Sequence, residues 1–288
     1  MSKGIIAINK PKDWTSFDVV NKIKHMVKPN KVGHLGTLDP MATGVLLVTV
    51  GKATKLFDIM QEKQKTYLAT FQFGYETDTL DATGKLIKSA TNLPTKEEIE
   101  QILPEFIGEI DQIPPLYSAK SVNGVRAYDL ARQGIEFELK SKKVQITNIE
   151  LVEYSNDKLV LQITCGSGTY IRSIGRDIAY KLNTCATMTN LIRTKVDSFS
   201  VEKCYDIDKI NKENINDFIL PLDKILDYEI LSLTDDEVFK ILNGQTLKIN
   251  KTNGNYFLKT NNEIVAIVKI DDCKAKMLIY LAWFIVNY

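Results

Sequence analysis

Long apolar runs are missing from this sequence. Its uninterrupted hydrophobic stretches fall far short of the roughly 20 residues that a membrane-spanning helix needs. Met1-Ser2-Lys3 leads into a strand pattern rather than a signal-peptide core. Neither membrane insertion nor export is expected, and a cytoplasmic location is. Cysteine is scarce: Cys165, Cys185, Cys204 and Cys273 have no CxxC spacing, and the chain has only 2 histidines. That argues against a zinc site and a disulfide framework, and it fits a reducing compartment. Neither sign of charge dominates. Lys and Arg number 37, Asp and Glu 36, for a net charge of +1, so any nucleic acid must be held by local basic patches. No glycine-rich phosphate loop follows the first strand, and there is no internal repeat or low-complexity tract. What remains is an ordinary globular composition in 288 residues, enough for one large domain or one large and one small.

The most constrained stretch is Gly33-His34-Leu35-Gly36-Thr37-Leu38-Asp39-Pro40-Met41-Ala42-Thr43-Gly44. Glycine supplies positive φ, proline fixes φ, and Asp39 must be extended because Pro40 follows it. The apolar run Val45–Val50 comes next and reads as a buried strand. A single carboxylate is thus carried on a stiff loop at the mouth of a strand. Taken alone, the loop reads first as a turn containing an aspartate and second as a catalytic loop.

The rest of the chain supplies elements around it. Residues 4–9 read as a first strand. Ser16 is placed to cap a helix over 17–27, with Phe17, Val20, Ile23 and Val27 on one face. Lys22, Lys24, His25 and Lys28 lie on the other, with Lys31 after it. Residues 1–40 hold seven lysines against three acids, which suits either a solvated face or a phosphate-contacting edge. A short helix is expected from Gly51 to Met60, and a strand over 66–73 with Tyr67 at its start. Residues 74–86 read as a loop. Thr95 and Glu98 form a capping box for a helix over 95–107. Between 112 and 132, aromatic and basic residues interleave. That suits RNA, although the stretch reads first as a proline-led loop followed by an amphipathic helix. Strands are expected over 135–154, 158–165 and 184–200, and a helix over 170–179. Arg172 sits in that helix's first turn, where the dipole favours anions. An arginine placed against that preference is a candidate partner for a carboxylate or phosphate, Asp39 among them. A helical connector over 205–226 leads to a mainly β tail, with a helix at 235–242 and strands at 255–260, 263–270 and 276–286. Its lysines and acids balance, seven to seven.

Four stretches together resemble the bacterial TruB-type tRNA pseudouridine synthases, in that family's order and spacing across residues 5 to about 200. They are Asn9-Lys10-Pro11 with Thr15-Ser16; the Gly33–Gly44 loop; Pro114-Pro115 with Ser118-Ala119, Gly124, Arg126 and Tyr128; and Gly168-Thr169-Tyr170-Ile171-Arg172-Ser173. The tail resembles their small PUA-type domain. Asp13 stands where the family has glycine, and Leu191-Ile192-Arg193 where it has Leu-Arg-Arg.

The resemblance implies an α/β (α+β) pseudouridine-synthase fold: a central mixed, mainly antiparallel sheet flanked by helices, plus a small C-terminal PUA-like β domain. The division expected is 1–226 for the catalytic domain and 227–288 for the RNA-binding one. The activity implied is isomerisation of uridine 55 in the T-arm loop of tRNA, with no cofactor and no metal, by a monomer. Asp39 would be the nucleophile or base, paired with Arg172 in its charged form. Tyr67 would stack on the uracil, with Tyr170 and Leu191 completing the pocket. His34 would take up the space or contacts of the flipped-out base. Lys10, Lys120, Arg126 and Arg132 would hold phosphates of the stem-loop. Two other classes compete. A non-catalytic tRNA-binding or folding protein would not need Asp39, Tyr67 and Arg172 together. An aspartate-dependent hydrolase would need a water-activating partner that the sequence does not place beside Asp39.

Overall fold

The computed structural model describes residues 3–118, 120–122, 124–260 and 263–281. Its framework is a 10-stranded sheet. Along it, in spatial order, lie Tyr205–Asp206, Gly4–Lys10, Thr43–Val50, Ala186–Val196, Lys65–Phe73, Lys158–Cys165, Lys142–Ser155 and Gly108–Gln112. Val32–His34 pairs with Thr43–Val50, and Phe199–Ser200 with Ala186–Val196. Most pairings are antiparallel, and the mixed, mainly antiparallel sheet that the resemblance implies is present. The parallel contacts are at Tyr205–Asp206 and where Ile192 and Arg193 meet Thr43 and Gly44. Gly44 has φ +101°, and a Cβ there would lie 2.2 Å from the Arg193 carbonyl oxygen. Only glycine lets these two backbones approach so closely. That junction places the Asp39 loop at the seam between the two halves of the sheet.

Helix Ile171–Lys181 packs on the sheet through Ile171, Ile174, Ile178 and Ala179, in one cluster with Phe71, Tyr67 and Leu191. Its Gly175 faces the Phe71 ring, which would be 2.2 Å from a Cβ, so helix and sheet pack closer than any side chain allows. Helix Lys96–Ile102 begins at the Thr95–Glu98 capping box, as its sequence predicts. No helix among the described residues is long and apolar enough to cross a membrane.

The first helix, Ser16–Met26, is capped by Thr15, not Ser16. Thr15 and Asp18 form a capping box, because only from Thr15 does the third residue onward carry a carboxylate. Val19 takes the buried place expected of Phe17, which is 63% exposed. Residues 74–86 are not wholly loop: Tyr75–Thr77 pairs with Leu86–Ser89. The strand expected over 135–154 begins at Lys142, and Gly108–Gln112 pairs with it. The 205–226 connector is a series of short 3-10 turns rather than a helix.

In the tail, helix Asp235–Leu242 is capped by Thr234 and accompanies a five-stranded PUA-like sheet. The expected last strand ends at Tyr280; residues 282–286 of it lie outside the described residues. One face of this sheet has its own core, including Val238, Ile241, Leu258 and Val268. Phe257, Ile267 and Leu281 instead join Ile5, Ala7, Leu47, Leu222 and Leu226. The two sheets therefore share an apolar cluster.

Candidate active site

Each residue around Asp39 is held by a different part of the chain. Ser16, free of capping, accepts from the Leu38 N–H at 2.9 Å and lies 3.2 Å from the Leu38 carbonyl. The Asp13 N–H donates to the Pro40 carbonyl at 2.8 Å. Asp13 has φ +64°, the left-handed region where glycine is favoured and aspartate is tolerated. This accounts for the departure at residue 13: the backbone asks for glycine, and Asp can comply.

Lys10 corrects an expectation. It is fully buried, and its ammonium donates to the carbonyls of Pro11 at 2.8 Å, Trp14 at 2.6 Å and Pro40 at 3.1 Å. Burial pushes its pKa down to about 8, against the pull of Asp13 and Asp39. A lysine committed to three internal carbonyls cannot reach an RNA phosphate, and its part is to hold the Asp39 loop.

Asp39 and Arg172 meet as a fork. Arg172 Nε lies 3.0 Å from Asp39 Oδ2, and Nη2 donates to Oδ1 at 3.1 Å. Asp39 keeps 33% of its side chain open, whereas Arg172 is buried. The guanidinium has further acceptors: the Thr79 carbonyl at 2.9 Å, the Tyr117 carbonyl at 3.2 Å and Asp81 Oδ2 at 3.3 Å. Burial raises the Asp39 pKa. Asp81 adds to that rise; Arg172 pulls it down without outweighing burial. Arg172 thus favours the charged form, against the larger opposing effect of burial.

Tyr67 and Leu191 belong to one buried cluster with Leu38, Met41, Ala42 and Ile171, so both side chains flank the loop. Burial raises the Tyr67 pKa, and Arg193 beside its hydroxyl opposes that rise. Tyr170 precedes the helix, and its backbone is gripped at both ends by Gln112: Oε1 accepts from its N–H at 2.8 Å, and Nε2 donates to its carbonyl at 3.2 Å. His34 lies in strand Val32–His34, with its Nδ1 buried and unpartnered among the described residues. Burial and nearby Arg193 lower its pKa, which favours the neutral ring.

Lys120 and Arg126 stand apart from this cluster. Lys120 donates to the Lys140 carbonyl at 3.1 Å, Arg126 is exposed at the start of helix Ala127–Arg132, and Arg132 lies over the Tyr128 ring. Sequence reasoning missed Asp81, Gln112 and the burial of Arg193. Asp81 is held by Thr79 Oγ1 at 2.9 Å, Thr83 Oγ1 at 2.6 Å and the Thr83 N–H at 3.0 Å. The only signal was the density of Thr and Asp in the 77–84 loop. No group of three or more His, Cys, Asp or Glu among the described residues is placed to hold a metal ion.

A carboxylate fixed by an arginine fork, beside a buried aromatic ring, suits covalent or proton-abstraction chemistry on a planar substrate. Residues 24–171 match the TruB family pseudouridylate synthase (N terminal domain). The tRNA pseudouridine synthase B of Clostridium kluyveri is 46% identical over 247 residues, 85% of each chain. The protein of that name from Fusobacterium nucleatum is 42% identical over 276 residues, 94% of this chain and 96% of its own. A chain in the crystal structure of a Cbf5-Nop10-Gar1 complex superposes with a TM-score of 0.68 at 25% identity, over 92% of this chain and 78% of that one. One in an H/ACA RNP bound to a substrate RNA containing 2'-deoxyuridine gives 0.69 at 23% identity, over 97% and 85%. The chain belongs to the TruB family of pseudouridylate synthases.

Proposed function

We propose that this chain isomerises a uridine of tRNA to pseudouridine, at position 55 in the T-arm loop. The observation that carries the reading is the Asp39–Arg172 fork at 3.0 and 3.1 Å beside Tyr67. Family membership and relatives named tRNA pseudouridine synthase B support the substrate.

The target base leaves its stack and enters the cleft, at a cost of a few kcal/mol. Tyr67 lies against the uracil with its hydroxyl near C5, and Tyr170 and Leu191 close the pocket. The neutral His34 ring takes up the space or contacts that the base gives up. Asp39, ionised and aimed by Arg172, attacks C1′ or removes a sugar proton. The N1–C1′ bond breaks, the uracil turns, and C5 joins C1′. Exposed Lys24, His25, Lys28 and Lys31, with Lys120, Arg126 and Arg132, hold the RNA backbone by charge. Residues 1–226 form the catalytic domain and 227–288 the RNA-binding one, and the protein works as a cytoplasmic monomer.

Release of tritium from tRNA carrying 5-tritiated uridine tests this. The native protein is expected to release it, and Asp39→Asn is expected to release none while still binding tRNA. Binding without release by the native protein would make it an RNA-binding or folding protein instead.

A further inference from the structure

Arg193 lies within this site, and the reaction just described does not use it. It is 1% exposed. Its Nε donates to the Val45 carbonyl at 2.7 Å, Nη2 to that of Gly36 at 3.1 Å and Nη1 to that of Thr37 at 3.4 Å. Strand register sets it opposite Tyr67, and its guanidinium lies beside the Tyr67 hydroxyl. Among the described residues, no carboxylate comes within ion-pair distance of it.

Lys65, two residues before Tyr67, is buried in the same manner. Its ammonium donates to the carbonyls of Gln61 at 2.8 Å and Lys63 at 2.6 Å, and no described carboxylate pairs with it. Elsewhere in the site Arg172 faces both Asp39 and Asp81, two carboxylates on one cation. Arg193 and Lys65, by contrast, are two buried cations that no described carboxylate pairs with. Dry cations without counter-ions are costly, and fixed charge aimed at a cleft acts on charge that develops during reaction.

The reaction develops such a charge. When the N1–C1′ bond breaks, its electron pair leaves with the uracil, whether an Asp39 oxygen bonds to C1′ or takes a sugar proton. The base is an anion until C5 bonds to C1′; that step breaks the Asp39–C1′ bond, or on the other route Asp39 returns the proton to the sugar, and the carboxylate is restored. Loss of the C5 proton and gain of one at N1 then complete the isomerisation. We propose that Arg193 is a positioning residue which, through the Tyr67 hydroxyl, offsets the negative charge of the detached uracil. The inference rests on the synthase reading and deepens it.

Paired tRNA substrates test it, one with uridine and one with 5-fluorouridine at the target, followed by chromatography of the digested RNA under single turnover. 5-Fluorouracil is the more acidic base, so its anion needs less help. Arg193→Gln is expected to slow the uridine reaction by about 100-fold, with the tRNA Kd changed by less than about threefold. On 5-fluorouridine the loss is expected to be under about tenfold. Arg193→Lys, which keeps the charge, recovers most of the uridine rate. Equal losses on both substrates, or a loss carried by Kd, overturn the inference while the synthase reading stands. Lys65→Met weakens the same field and should show the same bias; if Arg193→Gln does not fold, absence of that bias overturns the inference. A native protein that consumes neither substrate overturns the synthase reading and this inference with it.

Discussion

Lys10→Met separates two roles for one residue. If Lys10 held a phosphate, its loss would weaken RNA binding and leave the fold alone. The structure instead gives its ammonium three carbonyl acceptors, at 2.8, 2.6 and 3.1 Å. Hydrogen bonds from a charged donor are worth about 1.5–3 kcal/mol each, so three contribute about 4–9 kcal/mol. Against them stands the desolvation of a buried ammonium, several kcal/mol. The expected net loss of stability is about 2–4 kcal/mol. At about 2–4 °C per kcal/mol for a chain of this size, Tm should fall by about 4–16 °C. The native Lys10 pKa lies at about 8, below its ordinary 10.5. Between those values the unfolded chain holds a proton that the folded chain has lost, so this group makes native stability rise with pH there. Lys10→Met removes that rise. Thermal melts followed by circular dichroism across pH, with tRNA binding titrated against salt, measure all of this. An unchanged Tm with a salt slope shallower by about 1 would refute the reasoning and return Lys10 to the RNA.

Other perturbations probe the fork and its supports. Arg172→Lys keeps the charge but loses the planar fork, so single-turnover rate should fall by at least about 100-fold with little change in tRNA Kd. Because the Asp39 pKa is raised, the acid limb of the pH–rate profile should lie above the ordinary carboxylate range, with activity lost as pH falls through it. Asp81→Asn removes a charge that pushes that pKa up, so the limb should move to lower pH; an unmoved limb would mean that Asp39 does not set it. Gln112→Met leaves the Tyr170 N–H and carbonyl without their partner, which should cost about 1–3 kcal/mol in a denaturant melt. The same variant should slow single turnover by about tenfold through the shifted start of the Arg172 helix.

Local chemistry made much of the framework legible. Lys158–Cys165 and Asp235–Leu242 match their predicted bounds because hydrophobic period and turn residues agree there. Arg172 was visible as a cation set against a helix dipole, and two carboxylates answer it. What stayed hidden depends on partners distant in sequence. Lys10 next to Pro11 reads like any exposed lysine until the sheet folds three carbonyls over it. Asp81 sits among threonines that would suit any turn, and only its distance from Arg172 marks it. Ser16 and Thr15 are equally good caps by type, and Asp18 decides between them, which releases Ser16 to hold Leu38.

The anchors of the Asp39 loop span very different lengths of chain. Ser16 reaches Leu38 across 22 residues and Lys10 reaches Pro40 across 30, whereas Arg172 reaches Asp39 across 133 and Arg193 reaches Gly36 across 157. The near contacts can close early in folding, and the far ones must await most of the large sheet. The full set of loop anchors closes only when strand Ala186–Val196 is in place. Activity is thus expected to report on completion of the fold, with a nascent chain expected to be chemically silent until residue 193 has emerged and paired.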